Sequence, residues 1–222
     1  MLLLYYITDR RALPGTEGQQ RVAVLRCIAS AASAGIDYIQ LREKDLSARE
    51  LERLAREAVR VVRARSAQTK LLINGRADVA LAAGADGVHL PGGELPPSEV
   101  RALWRKASPQ PVILGVSCHT IAEVRHAEAH GADFCVLAPI FEKVQTGASG
   151  IGPGILRAAC SPGGTVNHTE ACHPGRFPVL ALGGITLKNA KQCREAGAAG
   201  VAGIRLFQEG NIGETVRRLR EV

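Results

Sequence analysis

A glycine followed by a short apolar strand recurs four times along the chain. The four segments are SAGIDYIQL (33–41), AAGADGVHL (82–90), AHGADFCVL (129–137) and EAGAAGVAGI (195–204). In each of them small residues lead to a glycine, which readily takes the left-handed conformation that ends a helix. A short loop then leads into a buried strand. The chain therefore repeats a helix–loop–strand unit along most of its length.

The spacing of these glycines predicts the number of strands. Gly35, Gly84, Gly131 and Gly197 are 49, 47 and 66 residues apart, and the two shorter intervals each accommodate two strand–helix units. We attribute the longer third interval to a Gly- and Pro-rich insertion at about 161–176 and to a long loop near 142–152. Four further strand-like segments lie between the repeats: LLYYIT (3–8), KLLIN (70–74), PVILGVS (111–117) and PVLALGG (178–184).

Eight strands that alternate with helical patterns, such as those at 46–65 and 120–130, predict an α/β fold. We expect a single (β/α)8 TIM barrel domain over residues 1–222. Aromatic residues make up only 4% of the chain, so the core is expected to consist of Ala, Val, Leu and Ile, as in buried parallel sheets. An open doubly wound sheet is the alternative, but no G-x-G-x-x-G motif opens the first helix.

The charge and the cysteines restrict the class of protein. The net charge of +7 favours an anionic ligand, and the basic residues are scattered rather than interleaved with aromatics, so no nucleic-acid partner is expected. The first residues, MLLLYYITDR, lack the basic start of a signal peptide. No apolar run reaches the roughly 18 residues of a membrane span, and no C-x-x-C pair occurs. We expect a cytoplasmic protein without a membrane partner; the sequence leaves open whether its copies form a homo-oligomer.

The ends of the strands are where a TIM barrel places its active site. His119 follows strand five in GVSCHT and precedes a helix. An imidazole there can take and return a proton near neutral pH, or it can simply lie beside a helix cap supplied by Thr120 or Ser117. We favour an acid/base role for His119. Cys118 alternates with both neighbours, so we expect it to face the helix layer.

Charged residues at the end of strand two suggest ligand contact. Gln40, Arg42 and Lys44 alternate along the strand, which predicts that all three face the same way. Charges on the inner face of a barrel are costly unless they meet an anionic ligand or a carboxylate. The alternative is an internal salt bridge with Glu43 or Asp9.

Four glycines near helix starts predict a phosphate site. Gly183 and Gly184 precede a helix expected to start at Thr186, Gly203 lies on the last strand, and Gly152 precedes another helix. Backbone N–H groups left bare by glycine bind phosphate well, and TIM barrels often place phosphate after strands seven and eight. The alternative is that these glycines only allow tight turns.

A metal site built from the insertion is not expected. Cys160, His168, Cys172 and His173 lie in or beside it, but their spacing fits no standard zinc pattern. We therefore predict no resident cofactor or metal from these residues.

Four ordered motifs carry a resemblance to a known family: QLREKDLSARELERLA (40–55), LLINGRADVALAAGADGVHL (71–90), GVSCHTIAEVRHAEAHGADFCVLAPIFE (115–142) and PVLALGGITLKNAKQCREAGAAGVAGI (178–204). Together they resemble the thiamine-phosphate synthase/TenI superfamily over nearly the whole chain, apart from 143–149 and 160–176. The resemblance implies a phosphorylated thiazole as the small-molecule ligand. It also implies ligand contact for Gln40, Arg42, Lys44, Asn74 and Ser117, and the acid/base role for His119.

The superfamily has two branches, and departures from the synthase pattern favour the other one. The synthase joins a pyrimidine diphosphate to a thiazole phosphate with Mg²⁺, which is held by an Asp after strand three and another after strand four. Here these positions read Asn74-Gly75 and Pro91-Gly92-Gly93-Glu94, so Glu94 is the nearest carboxylate in the second loop. The lysine of the synthase loop after strand six is displaced to Lys143.

These departures resemble the thiazole tautomerase (TenI-like) branch, which moves a proton so that a carboxythiazole phosphate becomes aromatic and which uses no metal. The sequence therefore favours a proton-shift isomerase with His119 as acid/base. Two alternatives stay open. One is a thiamine-phosphate synthase, a Mg²⁺-dependent transferase that would use Glu94 as a metal ligand. The other is a barrel that binds thiazole or thiamine phosphate without turnover.

Overall fold

The repeated apolar segments form parallel strands that pair in chain order and close into a barrel. The computed structural model describes residues 1–93, 95–142, 147, 149–161 and 176–222, and eight strands close the barrel within these residues. The predicted (β/α)8 TIM barrel is thereby confirmed. The strands are β1 (Leu3–Ile7), β2 (Tyr38–Leu41), β3 (Lys70–Asn74), β4 (Gly87–Leu90), β5 (Ile113–Cys118), β6 (Phe134–Leu137), β7 (Val179–Ala181) and β8 (Gly200–Gly203).

Helices follow the strands and cover the outside of the barrel. Among the residues that the structure describes they are α1 (Glu17–Ser33), α2 (Ala48–Arg65), α3 (Ala77–Ala83), α4 (Pro97–Ala107), α5 (Ile121–Ala129), α6 (Gly152–Cys160), α7 (Ala190–Glu195), α8 (Arg205–Gln208) and α9 (Ile212–Arg220). A 3₁₀ turn spans Arg10–Ala12. None of the described helices is both long and apolar enough to cross a membrane.

The helix α2 shows how the local sequence defines these elements. Ser47 Oγ accepts a hydrogen bond from the N–H of Glu50, and the Glu50 carboxylate accepts one from the N–H of Ser47, so the first turn is closed by a capping box. Leu51, Leu54 and Val62 lie on its buried face, and this apolar stripe packs against the sheet.

Strand alternation separates two apolar layers. Outward-facing residues pack under the helices, whereas a smaller cluster fills the barrel interior. The interior cluster consists of Tyr5, Ile7, Leu72, Phe134, Val136, Leu180 and Ala202. Cys118 is fully buried in the outer layer, which confirms that it points away from the barrel axis. A thiol there packs as a small apolar group.

Three regions differ from the sequence expectations or fall outside them. The strand β2 ends at Leu41, because a turn closed by the Leu46 N–H on the Glu43 carbonyl turns the chain away. The helix expected at Thr186 begins at Ala190, after a turn in which the Thr186 carbonyl accepts from the N–H of Ala190. Residues 162–175 lie outside the described residues, so the predicted insertion and its His168, Cys172 and His173 stay predictions.

Candidate active site

Polar side chains replace apolar ones inside the barrel near the carboxyl ends of the strands. Gln40 is buried and donates from Nε2 to Asn74 Oδ1 at 3.2 Å. Asn74 pairs in register with His89 on the neighbouring strand, and His89 Nε2 lies 2.9 Å from Ser117 Oγ. The structure therefore brings the predicted residues Gln40, Asn74 and Ser117 together at the carboxyl ends of β2, β3 and β5.

His119 lies one residue beyond β5 and is exposed at the barrel mouth. Thr120 is the N-cap of α5 and accepts the Glu123 N–H, so His119 is not the cap. The Nδ1 atom of His119 is 2.8 Å from the carbonyl oxygen of Ala138, just beyond β6. A carbonyl can only accept a hydrogen bond, so Nδ1 must carry the proton. In the neutral ring, Nε2 is therefore the nitrogen that can take a proton.

A buried ion-pair network joins the ends of β1 and β2. Arg10 and Glu43 are 2% and 4% exposed, and Arg10 Nη1 donates to Glu43 Oε2 at 3.1 Å. Arg10 also donates to both carboxylate oxygens of Asp45, at 2.6 and 2.7 Å, and this pairing lowers the pKa of Asp45 to about 2. Thr8 donates to Glu43 at 2.6 Å. Burial raises the pKa of Glu43, against the opposing effect of the Thr8 and Arg10 hydrogen bonds.

Among the described residues, this network leaves Arg42 and Lys44 without a carboxylate partner. Glu43, one of the two partners considered from the sequence, is taken by Arg10. In the described part of the chain neither Arg42 nor Lys44 forms an ion pair or a side-chain hydrogen bond. Arg42 is half-buried and Lys44 is exposed, since Lys44 lies in the turn beyond β2. The shared inward direction expected from alternation is therefore wrong for Lys44.

Gly183 and Gly184 follow β7 and take left-handed φ values of 96° and 62°. A Cβ at Gly183 would lie 2.7 Å from Pro139 Cα, and one at Gly184 would lie 2.6 Å from the Glu142 carbonyl oxygen. Both positions thus need glycine for backbone conformation and for contact with the loop after β6. Their N–H groups donate to no acceptor in the described residues, so they are available to a phosphate.

The other two glycines contribute differently. The N–H of Gly152 donates to the Ile140 carbonyl at 2.9 Å, so its predicted contact with phosphate is wrong for that amide. The first turn of α6 instead offers the N–H group of Gly154, because Pro153 has none. Gly203 ends β8, where a Cβ would lie 2.8 Å from Leu206 Cβ, so close packing alone accounts for this glycine.

A Mg²⁺ ligand was predicted from the sequence only for the synthase alternative. Glu94 and Lys143 lie outside the described residues. Asp78, which follows Gly75, forms a two-point ion pair with Arg76 at 2.8 and 2.6 Å. Over the described ranges, no group of three or more His, Cys, Asp or Glu side chains is arranged to hold a metal ion.

His89 is a buried polar residue of the site that sequence reasoning did not select. It is 2% exposed, and its Nδ1 lies 3.1 Å from Tyr5 Oη. Burial, and secondarily the charge of Arg42, lowers its pKa to about 3, so the ring is neutral at pH 7. Strand alternation could have found it, because His89 shares the inward register of Asn74.

The lowered pKa of His89 predicts a loss of stability in acid. The unfolded chain, whose histidines titrate near pH 6.5, binds more protons than the folded chain between that pH and about 3. The free energy of unfolding should therefore fall as the pH drops through this window, by an amount on the order of 5 kcal/mol. Urea titrations of wild-type protein and His89→Gln at several pH values measure it. An equal pH slope in both proteins would refute the assignment, and His126→Gln on the α5 surface serves as the control.

Comparisons with known proteins identify the family of this chain. Residues 4–207 match the family described as Thiamine monophosphate synthase. A putative thiamine-phosphate synthase 2 from Aquifex aeolicus is 40% identical over 93% of this chain and 97% of the relative. A thiamine-phosphate synthase from Methanospirillum hungatei is 35% identical over 90% and 86% of the two chains. The structure of a thiamine phosphate pyrophosphorylase from Pyrococcus furiosus superposes with a TM-score of 0.76 at 26% identity, over 99% of this chain and 94% of that one. The chain therefore belongs to the thiamine-phosphate synthase family.

Proposed function

We propose that this protein is a proton-transferring isomerase, a thiazole phosphate tautomerase, that holds its ligand in the barrel mouth. The position of His119 carries the proposal. Its Nδ1 is committed to the Ala138 carbonyl, which leaves Nε2 as a base at the exposed end of β5. An imidazole held in this way can take a proton from one ligand atom and return it to another.

The reaction needs no co-reactant in this scheme. His119 Nε2 takes a proton from a carbon of the non-aromatic thiazole, and the C–H electron pair moves into the ring. The resulting imidazolium keeps its hydrogen bond from Nδ1 to the Ala138 carbonyl. It then returns a proton to a second atom of the ligand, so that the ring becomes aromatic and the histidine is again neutral.

The surrounding charges suit an anionic ligand. Arg42 and Lys44 have no ion-pair partner among the described residues, so their positive charge is available at the mouth. The N–H groups of Gly183 and Gly184 add two donors on the β7 side. We assign the ligand phosphate to these glycine amides, with the thiazole ring lying between them and His119.

The synthase is the second candidate, and the names of the relatives favour it over the tautomerase. A synthase would hold Mg²⁺ against a diphosphate through carboxylate oxygens. The carboxylates that follow β2 and β3 do not fit this need, since Glu43 and Asp45 are paired with Arg10 and Asp78 with Arg76. Gly75, at the position of the synthase Asp, has no side chain at all.

Parallel assays of the purified protein separate the candidates. We expect isomerisation of carboxythiazole phosphate at the same rate with Mg²⁺ and with a chelator, and little formation of thiamine phosphate. Gly75→Asp alone should not produce synthase activity, because the lysine of the loop after β6 is displaced. Robust Mg²⁺-dependent synthesis of thiamine phosphate would establish the second candidate instead. Ligand binding without either reaction would identify a non-catalytic binder.

A further inference from the structure

Three hydrogen-bonded polar groups extend from the barrel interior to its mouth. Tyr5 Oη lies 3.1 Å from His89 Nδ1, and His89 Nε2 lies 2.9 Å from Ser117 Oγ. Tyr5 is fully buried and His89 is 2% exposed, whereas Ser117 is half-buried near the end of β5. Ser117 therefore faces the site, whereas Tyr5 and His89 are out of reach of any ligand in the mouth.

The Tyr5 hydroxyl determines which atom donates in the two hydrogen bonds of His89. Within the described residues, His89 Nδ1 is the only hydrogen-bond partner of the Tyr5 hydroxyl, and a buried O–H proton without an acceptor is costly. Tyr5 therefore donates to Nδ1, which must be bare. A neutral imidazole then carries its proton on Nε2, so His89 donates to Ser117 Oγ. The lowered pKa of His89 agrees with a neutral ring.

The neighbouring residues hold these groups in place. A Cβ at Gly115 would lie 2.8 Å from His89 Nδ1 and 2.5 Å from Phe134 Cζ. The backbone of Gly115 is not left-handed, so this glycine provides space for the two rings. Phe134 meets the Tyr5 ring edge-on with centroids 5.4 Å apart, and Tyr38 also contacts Tyr5 edge-on at 5.9 Å.

We propose that Tyr5 and His89 are positioning residues that fix the Ser117 hydroxyl as a hydrogen-bond donor to an anionic oxygen of the ligand. Because the His89 N–H occupies a lone pair of Ser117 Oγ, the hydroxyl proton is free to point into the mouth. This inference rests on the proposed function only in taking the ligand to be anionic. The anionic oxygen belongs to either the phosphate or the carboxylate of the ligand.

The first test reads the histidine tautomer in the ligand-free protein. Nitrogen-15 NMR of the imidazole should show His89 with Nδ1 bare and Nε2 protonated at pH 7. A ring protonated on Nδ1 would overturn the proposal, because Ser117 would then be the donor to His89. In Tyr5→Phe the Nδ1-protonated form should become detectable, whereas Tyr38→Phe, a change in the same aromatic cluster, should leave the wild-type tautomer.

The second test measures affinity by calorimetry for carboxythiazole phosphate, for thiazole phosphate without the carboxylate, and for the uncharged thiazole alcohol. Ser117→Ala should weaken an anionic ligand roughly tenfold and the alcohol much less. The two phosphorylated ligands show whether the carboxylate or the phosphate receives the hydroxyl. Tyr5→Phe should weaken binding of the same ligand by a smaller factor than Ser117→Ala does. The Tyr5→Phe/Ser117→Ala double variant should bind that ligand no more weakly than Ser117→Ala alone.

Two outcomes would refute the proposed roles of Tyr5, His89 and Ser117. One is that Tyr5→Phe and Ser117→Ala have additive effects on affinity. The other is that affinity falls equally for the alcohol and for the anionic ligands. These outcomes do not depend on turnover. If the protein shows the Nε2-protonated tautomer of His89 and the non-additive affinities but no isomerisation, the proposed function is wrong and the proposed roles of Tyr5 and His89 are supported.

Discussion

Replacing His119 by asparagine should lower the isomerisation rate constant by roughly 10²–10⁴-fold, the usual contribution of one acid/base group. Asparagine can still donate a hydrogen bond to the Ala138 carbonyl, but its amide cannot take a proton. Ligand affinity and the far-UV circular dichroism spectrum should stay close to those of the wild type. Steady-state kinetics with carboxythiazole phosphate, together with calorimetry, measures both parts of the prediction.

A matched control comes from the next helix. His126 is exposed on α5, so His126→Asn removes an imidazole without touching the mouth and should leave the rate unchanged. If His119→Asn isomerises the ligand at the wild-type rate, His119 is not the acid/base and the proposed mechanism is wrong. If His126→Asn is as slow as His119→Asn, the loss reflects damage to α5 and not missing chemistry.

The largest effect on stability is expected from Arg10→Met. This change leaves the Glu43 carboxylate buried without its cation, and breaking a buried ion pair from one side typically costs about 3–5 kcal/mol. The free energy of unfolding, measured by urea titration at pH 7, should fall by that amount. Arg10→Met combined with Glu43→Gln should recover part of the loss, because the second change removes the uncompensated charge.

An exposed pair provides the comparison for this experiment. Arg21 contacts Glu17 and Glu50 at 2.9 and 2.8 Å, but these three side chains are 27%, 61% and 44% exposed. Solvent screens such pairs, so Arg21→Met should cost less than about 1 kcal/mol. A loss for Arg10→Met as small as that for Arg21→Met would show that the buried network contributes little to stability.

The Arg10 network also has a consequence for the site. It ties the segment after β1 to the segment after β2, because the Arg10 N–H and guanidinium both donate to Glu43. The N–H of Arg42 in turn donates to Thr8 Oγ1 at 3.0 Å. Glu43 is thereby held by Arg10, and the Arg42 guanidinium has no ion-pair partner among the described residues.

The fold was predictable from the sequence, because the patterns that indicate it are local. A glycine that ends a helix and a short apolar strand can be recognised within about ten residues, and the strand KLLIN is predicted at 70–74 and found there. Alternation along a strand is equally local, so the burial of Cys118 in the helix layer followed from its two neighbours. A TIM barrel has its active site at the carboxyl ends of the strands, which predicted that His119, Asn74 and Ser117 lie at that end.

The pairing of the polar side chains, in contrast, is apparent only in the folded chain. Arg10 and Glu43 are 33 residues apart, and Tyr5 and His89 are 84 apart, so no local pattern announces either pair. The commitment of the Gly152 amide to Ile140 and the space that Gly115 leaves for His89 depend on neighbouring strands and loops in the same way. Hydrogen bonds and close contacts act over a few ångströms in space, whereas the patterns in a sequence report neighbours along the chain. The position of the candidate site was therefore predictable, but its hydrogen-bond network was not.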